Sequence, residues 1–203
     1  MAEFGGTTLT NSGRTLLAKA IAGAPIKFTR GAAGDGVLPA GLDIAEMTGL
    51  VAPIRDMPIV DIEVPPLIGT AKITAILSNK DVPQGFFVRE VGLFAEDPDT
   101  GEELLYCYSN AGNRADFMPG YGGADTLNYQ LVITTVVGQA EEVTAVFVEN
   151  PLAVTHIHLK KRLEYVLRYI RDRDDEMQRQ IDALAEASIL SSAGRLEKRL
   201  KSI

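Results

Sequence analysis

The sequence predicts an α+β protein. An antiparallel, sandwich-like β-rich domain with a short N-terminal helix occupies residues 1–152, and a coiled-coil helix follows over 153–203. Three observations carry this reading. All 10 prolines and 18 of the 19 glycines lie at or before Pro151, leaving only Gly194 beyond it. Charge divides nearby: residues 155–203 hold 11 Lys/Arg and 8 Asp/Glu, net +3, which leaves residues 1–154 with 9 and 19, net −10, of the chain's 20 and 27. Finally, the apolar period changes from two residues to seven.

In chain order, Thr10-Asn11-Ser12-Gly13-Arg14 offers capping residues, and Leu16, Leu17, Ala20 and Ile21 share one face until Gly23-Ala24-Pro25 stops the run. A helix over about 11–22 follows. Ile26 to Arg30 alternates as a strand, and the glycines from Gly31 to Gly41 predict a loop. Leu42–Leu50 has room for one or two helical turns. Strands are then expected at Pro58–Val64, Ala71–Leu77, Phe86–Phe94, Leu104–Tyr108, Leu127–Val137 and Val143–Val148, about seven in all with the first. Short turns between them, such as Asn79-Lys80-Asp81 and Asp97-Pro98-Asp99-Thr100-Gly101, imply antiparallel pairing, and the β-branched content suits a two-layer core.

Beyond Pro151, Leu163, Ile170, Met177 and Leu184 recur every seven residues as heptad a positions. The matching d positions are Val166, Arg173, Gln180 and Ala187, so two polar residues interrupt that layer. Arg173 and Gln180 there would set register at some loss of stability, or bind an ion on the axis. A lone amphipathic helix docked on its own β domain is the alternative. A breaker-free run of about 36 residues, some 54 Å of helix, with charges on both flanks weighs against it.

The same counts exclude several classes of function. One cysteine, Cys107, allows no intrachain disulfide and no Cys-based zinc site, and within Leu-Leu-Tyr-Cys-Tyr it reads as a small buried hydrophobe. Met-Ala-Glu-Phe-Gly-Gly lacks the basic start and apolar run of a signal peptide, so synthesis in the cytoplasm is expected. No apolar stretch approaches the ~20 residues that span a bilayer, so no membrane insertion is expected. An acidic body also argues against a nucleic-acid partner, which would need clustered Lys and Arg.

Candidate chemistry is sparse. Asp97-Pro98-Asp99-Thr100-Gly101-Glu102 resembles the opening of a calcium loop, but glycine comes one position early and no closing Glu follows. A hairpin turn with solvated acids accounts for it. Gly34-Asp35-Gly36 lacks the Lys-Ser/Thr tail of a phosphate cradle and reads as a plain turn. His156-Ile157-His158 holds the only two histidines. On an extended segment both rings share a side and could take a metal ion, particularly where three chains meet. On a helix they diverge by about 200°, and Thr155 as an N-cap favours that arrangement. The acidic pairs Asp61 with Glu63, Glu102 with Glu103 and Glu141 with Glu142 lie on turns or strand edges where solvation suffices. No nucleophile motif accompanies them, and neither an enzyme nor a cofactor is expected.

Arg89-Glu90 stands apart, since both charges lie within the apolar run Phe86–Phe94. Leaving either unpaired there would be costly. A buried structural ion pair and a contact between subunits or proteins are the two readings.

At this strand the sequence resembles a known family. Phe87-Val88-Arg89-Glu90-Val91-Gly92-Leu93-Phe94-Ala95, followed by Asp97-Pro98-Asp99-Thr100-Gly101-Glu102-Glu103-Leu104-Leu105-Tyr106, resembles the "REIGLFA…DPDTG…LY" core of the phage tail-collar fibre family, the N-terminal attachment domains of bacteriophage tail fibres. Leu9-Thr10-Asn11-Ser12-Gly13 with Ala18-Lys19-Ala20, then Ile26-Lys27-Phe28-Thr29 and Gly34-Asp35-Gly36, agree in the same order, so the resemblance covers about residues 7–150.

The resemblance implies a role rather than a reaction. It implies a homotrimeric virion protein whose residues 1–152 plug into the baseplate of a contractile tail or a bacteriocin-like particle. Family members continue for hundreds of residues to a receptor-binding tip, whereas here one helical segment follows. The expectation is therefore a short adaptor on the virion tail, with residues 153–203 carrying a separate receptor-binding or distal fibre protein. A host-surface carbohydrate-binding or glycan-cleaving protein is the alternative. It would need an aromatic cleft or catalytic carboxylates; Trp is absent, and Tyr106, Tyr108, Phe117, Tyr121 and Tyr129 read as strand core and loop anchors.

Overall fold

The computed structural model describes residues 4–65, 69–122, 126–147, 163, 167–171, 173–174 and 177–182. The chain divides into two units, residues 1–149 and 150–203. The first is strand-rich, with one α-helix among its described residues.

That helix, α1 (Asn11–Ile21), begins where Thr10 caps it: the Thr10 hydroxyl oxygen accepts from the Gly13 amide at 2.9 Å. Leu16 and Ala20, one turn apart, bury its inner face. It lies against β8 (Glu103–Asn110) so closely that a Cβ on Gly13 would sit 2.0 Å from the Tyr106 carbonyl oxygen. Only glycine permits that approach.

Strand β8 belongs to a six-stranded sheet. Its order is β1 (Thr8–Leu9), β8, β7 (Glu90–Glu96), β2 (Ile26–Gly34) and β11 (Val143–Ala145), with β3 (Pro53–Met57) also paired to β2. A three-stranded antiparallel sheet runs β10 (Asn128–Val136), β5 (Thr70–Ser78), β4 (Ile59–Glu63). The hairpin-like pair β6 (Phe86–Val88) and β9 (Asp116–Met118) forms a third. One core cluster takes Phe28, Leu93 and Tyr106 from the large sheet, Ile73, Leu77 and Ile133 from the three-stranded one, and Leu16 from α1. Within it the Phe28 and Tyr106 rings meet edge to face, 5.2 Å between centroids. A second cluster joins Ala32, Phe94, Leu105 and Tyr108 to Met47, Leu38, Ile44 and Leu50 of the connection between β2 and β3. Neighbours Leu93 and Phe94 therefore serve different clusters, and burial on both faces explains why β7 is almost uninterruptedly apolar.

The strand-rich, largely antiparallel character matches the sequence expectation, and several details differ. β2 continues through Gly31-Ala32-Ala33-Gly34, where a loop was expected; Ala32 and Ala33 are buried, one in each cluster, where larger side chains would crowd them. The expected single strand Phe86–Phe94 breaks at Arg89 into β6 and β7. β11 runs parallel to β2, against the expected antiparallel pairing. Strands β1, β3 and β9, two to five residues long, carry too short a pattern to be foreseen.

In the second unit, the described residues 163, 167–171, 173–174 and 177–182 are helical. Leu163, Leu167, Ile170, Met177 and Ile181 are each between 49 and 57 % exposed. His156, His158, Val166 and Leu184 lie outside the described residues.

Candidate functional site

The resemblance-bearing residues Arg89 and Glu90 fall where the chain leaves the two-stranded sheet and enters the six-stranded one. The Arg89 amide donates to Gly34 O at 3.0 Å, and its carbonyl accepts from Ala111 N at 2.7 Å, which fixes the break between β6 and β7. Successive side chains of extended backbone point to opposite sides. Arg89 and Glu90 accordingly find separate partners within the chain.

Arg89 pairs with Asp35, and its guanidinium carbon lies 4.7 Å from the centroid of the Phe87 ring. Glu90 points inward and is wholly buried. Its Oε1 accepts from the amides of Gly36 at 3.1 Å and Ala52 at 2.7 Å; its Oε2 accepts from the Val51 amide at 2.9 Å and the Tyr108 hydroxyl at 2.8 Å. Asn110 Nδ2 completes the network, donating to Gly36 O at 3.0 Å and to Tyr108 Oη at 2.9 Å. Four donors on one carboxylate compensate its desolvation. Burial, the first cause, and the adjacent Glu90 carboxylate push the Tyr108 phenol well above its ordinary range, partly offset by Asn110.

This arrangement joins two motifs that the sequence presents separately. Gly34-Asp35-Gly36 is more than a plain turn, because Asp35 meets Arg89 and the flanking glycines meet Glu90. A Cβ on either Gly34 or Gly36 would lie 2.5 Å from Glu90 Oε1. Glycine on both sides of an acidic residue is a signal for such close approach, but nothing local names the group that approaches. Chemically, the assembly is a clamp holding both ends of the 35–52 connection on the large sheet. Donors engage both Glu90 oxygens.

The Asp97–Glu102 corner also departs from expectation. Asp97 is buried, not solvated, and meets Lys19 Nζ at 2.6 Å; Asp99 meets the same ammonium at 2.7 Å. Lys19 stands in the last turn of α1, where a cation also suits the helix dipole. Its bond to Asp97, with help from the Asp99 amide, holds the Asp97 carboxyl below the usual carboxylate range. Among the described residues no three His, Cys, Asp or Glu side chains are grouped as a metal site.

Of the aromatic residues considered for a cleft, Tyr106 and Tyr108 are fully buried in different core clusters. Phe117 is exposed and meets Phe87 edge to face at 5.3 Å, while Tyr121 and Tyr129 are also exposed. The five are thus not gathered around one groove. Cys107 is buried between strands, and burial pushes its thiol up to about 11.

Comparison with known proteins returns no matching family model, curated protein or solved structure. No helix among the described residues is long and apolar enough to cross a membrane.

Proposed function

We propose that this chain is a structural protein of a phage tail or phage-tail-like particle. In this reading it is a homotrimeric attachment or adaptor module. Residues 1–152 bind the baseplate, and residues 153–203 form a coiled coil that carries a separate receptor-binding or distal fibre protein.

The observation that carries the reading is the clamp. The family-like segments Gly34-Asp35-Gly36 and Arg89-Glu90 lie far apart in sequence yet meet through two carboxylates, Asp35 paired with Arg89 and Glu90 accepting from the Gly36 amide and the Tyr108 hydroxyl. Support for the second half comes from Leu163, Ile170 and Met177, which stand exposed at seven-residue intervals on helical backbone.

Electron micrographs of particles assembled without this chain test the adaptor role. The expected result is a tail with an intact baseplate and no distal fibres. Particles that keep their fibres would sink it. The virion location is checked in the same preparation, since the chain should co-purify with complete particles.

A further inference from the structure

Leu167 and Ile181, exposed apolar residues of the helical unit, fall outside the two rows that a heptad starting at Leu163 and Val166 implies. At 100° per residue, Leu163, Leu167, Ile170, Asp174, Met177 and Ile181 fall within about 80° of arc, spaced alternately by four and three. In that register Leu163, Ile170 and Met177 keep their shared row. The second row becomes Leu167, Asp174 and Ile181, replacing Val166, Arg173 and Gln180. Two observations favour this second row. Leu167 is 51 % and Ile181 57 % exposed on helical backbone, so both are open to a partner. Arg173 is drawn along the flank instead, its Nη1 donating to the Tyr169 hydroxyl one turn earlier at 3.4 Å.

We propose that other copies of this chain dock on the stripe Leu163, Leu167, Ile170, Met177, Ile181, with Asp174 as a charged layer within the seam and Arg171 and Arg173 of neighbouring helices beside it. The proposal rests on the oligomeric reading above and identifies its contact surface. Apolar knobs spaced by three and four residues are what a coiled-coil partner of the same kind accepts. Charge complementarity selects a second copy over an unrelated helix. Asp174 would repel its own symmetry mates, but each helix also brings Arg171 and Arg173 to the two positions that border the seam. A polar layer so bracketed sets the register of the helices at some loss of affinity.

Light scattering and sedimentation of the full chain test this, with circular dichroism of the β-rich unit confirming that each variant is folded. The intact chain should be oligomeric. Leu167→Asp and Ile181→Asp should each give monomers, while Gln180→Asp, beside the seam and not in it, should leave the chain oligomeric. Asp174→Leu should tighten the dissociation constant by at least about tenfold, because it replaces a charged layer by an apolar one. A monomeric intact chain overturns the proposal, and so does an Asp174→Leu variant with unchanged or weaker association. If Gln180→Asp dissociates the chain and Ile181→Asp does not, this seam is wrong while the oligomeric reading stands.

Discussion

In the β-rich unit, Glu90 and Asp97 are both buried acids, and both are met by groups of the same chain: three amides and a tyrosine hydroxyl for one, Lys19 for the other. Along the helical residues the situation is reversed. Leu163, Leu167, Ile170, Met177 and Ile181 stand about half exposed or more. A unit of the first kind draws its stability from inside, since its costly groups are already compensated. A helix of the second kind gains little from propensity and depends on burying its stripe against something else. Stability and assembly should therefore be separable by mutation, the first lying in the clamp and the core, the second in the stripe.

The largest expected effect is at the clamp. Glu90→Ala removes a carboxylate and leaves the Gly36, Val51 and Ala52 amides and the buried Tyr108 hydroxyl without that acceptor. The expected loss is about 3–5 kcal/mol of unfolding free energy, read from urea denaturation of the full chain. Light scattering at low urea should show the helices still associated. If the variant keeps its unfolding midpoint but loses its oligomeric state, the comparison breaks and the clamp belongs to assembly. Next in size is Gly13→Ala, whose new Cβ would lie 2.0 Å from the Tyr106 carbonyl oxygen. Helix α1 would have to move off β8, at a cost of about 1–3 kcal/mol. An unchanged denaturation midpoint would mean that α1 is not held against the sheet as closely as the geometry states.

The same division governs what could be read in the sequence. Helix α1 was legible because its signals are local: a capping Thr10, an apolar face at Leu16 and Ala20, and the Gly23-Ala24-Pro25 stop. The strands with clear alternation or long apolar runs were legible too. The end of β2 was not, because Gly31-Ala32-Ala33-Gly34 has the composition of a loop and becomes a strand only through β3 and β7 on either side. Neither was the clamp. The charges at Arg89 and Glu90 demanded partners, but Gly36 is 54 residues from Glu90 and Asp35 carries no mark of its pairing with Arg89. In the helical unit the period of seven was legible, and two second rows, one through Val166 and one through Leu167, remained compatible with it. Choosing between Val166 and Leu167 turns on a step of three or four, which the regular row through Leu163, Ile170 and Met177 leaves open.

The smallest expected effect sharpens the comparison through pH. Lys19 lowers the Asp97 pKa below its ordinary 3.8, and the two Asp partners raise that of Lys19 above its ordinary 10.5. A group whose folded value is depressed contributes stability that is present above its unfolded value and lost as pH falls through the folded one. A group whose folded value is raised does the opposite, contributing fully below its unfolded value and losing it as pH climbs through the folded one. The corner should therefore contribute a plateau between roughly pH 4 and pH 10, failing at both ends. Other carboxylates also titrate in acid, so the measurement is the difference between wild type and Asp97→Asn. Urea midpoints of the two should differ most near neutral pH and converge as the pH falls through the depressed folded value of Asp97, with salt narrowing the gap because Lys19 and Asp99 remain partly open to solvent. A constant gap down to the lowest pH would mean that the Asp97 side chain does not act through its charge on Lys19.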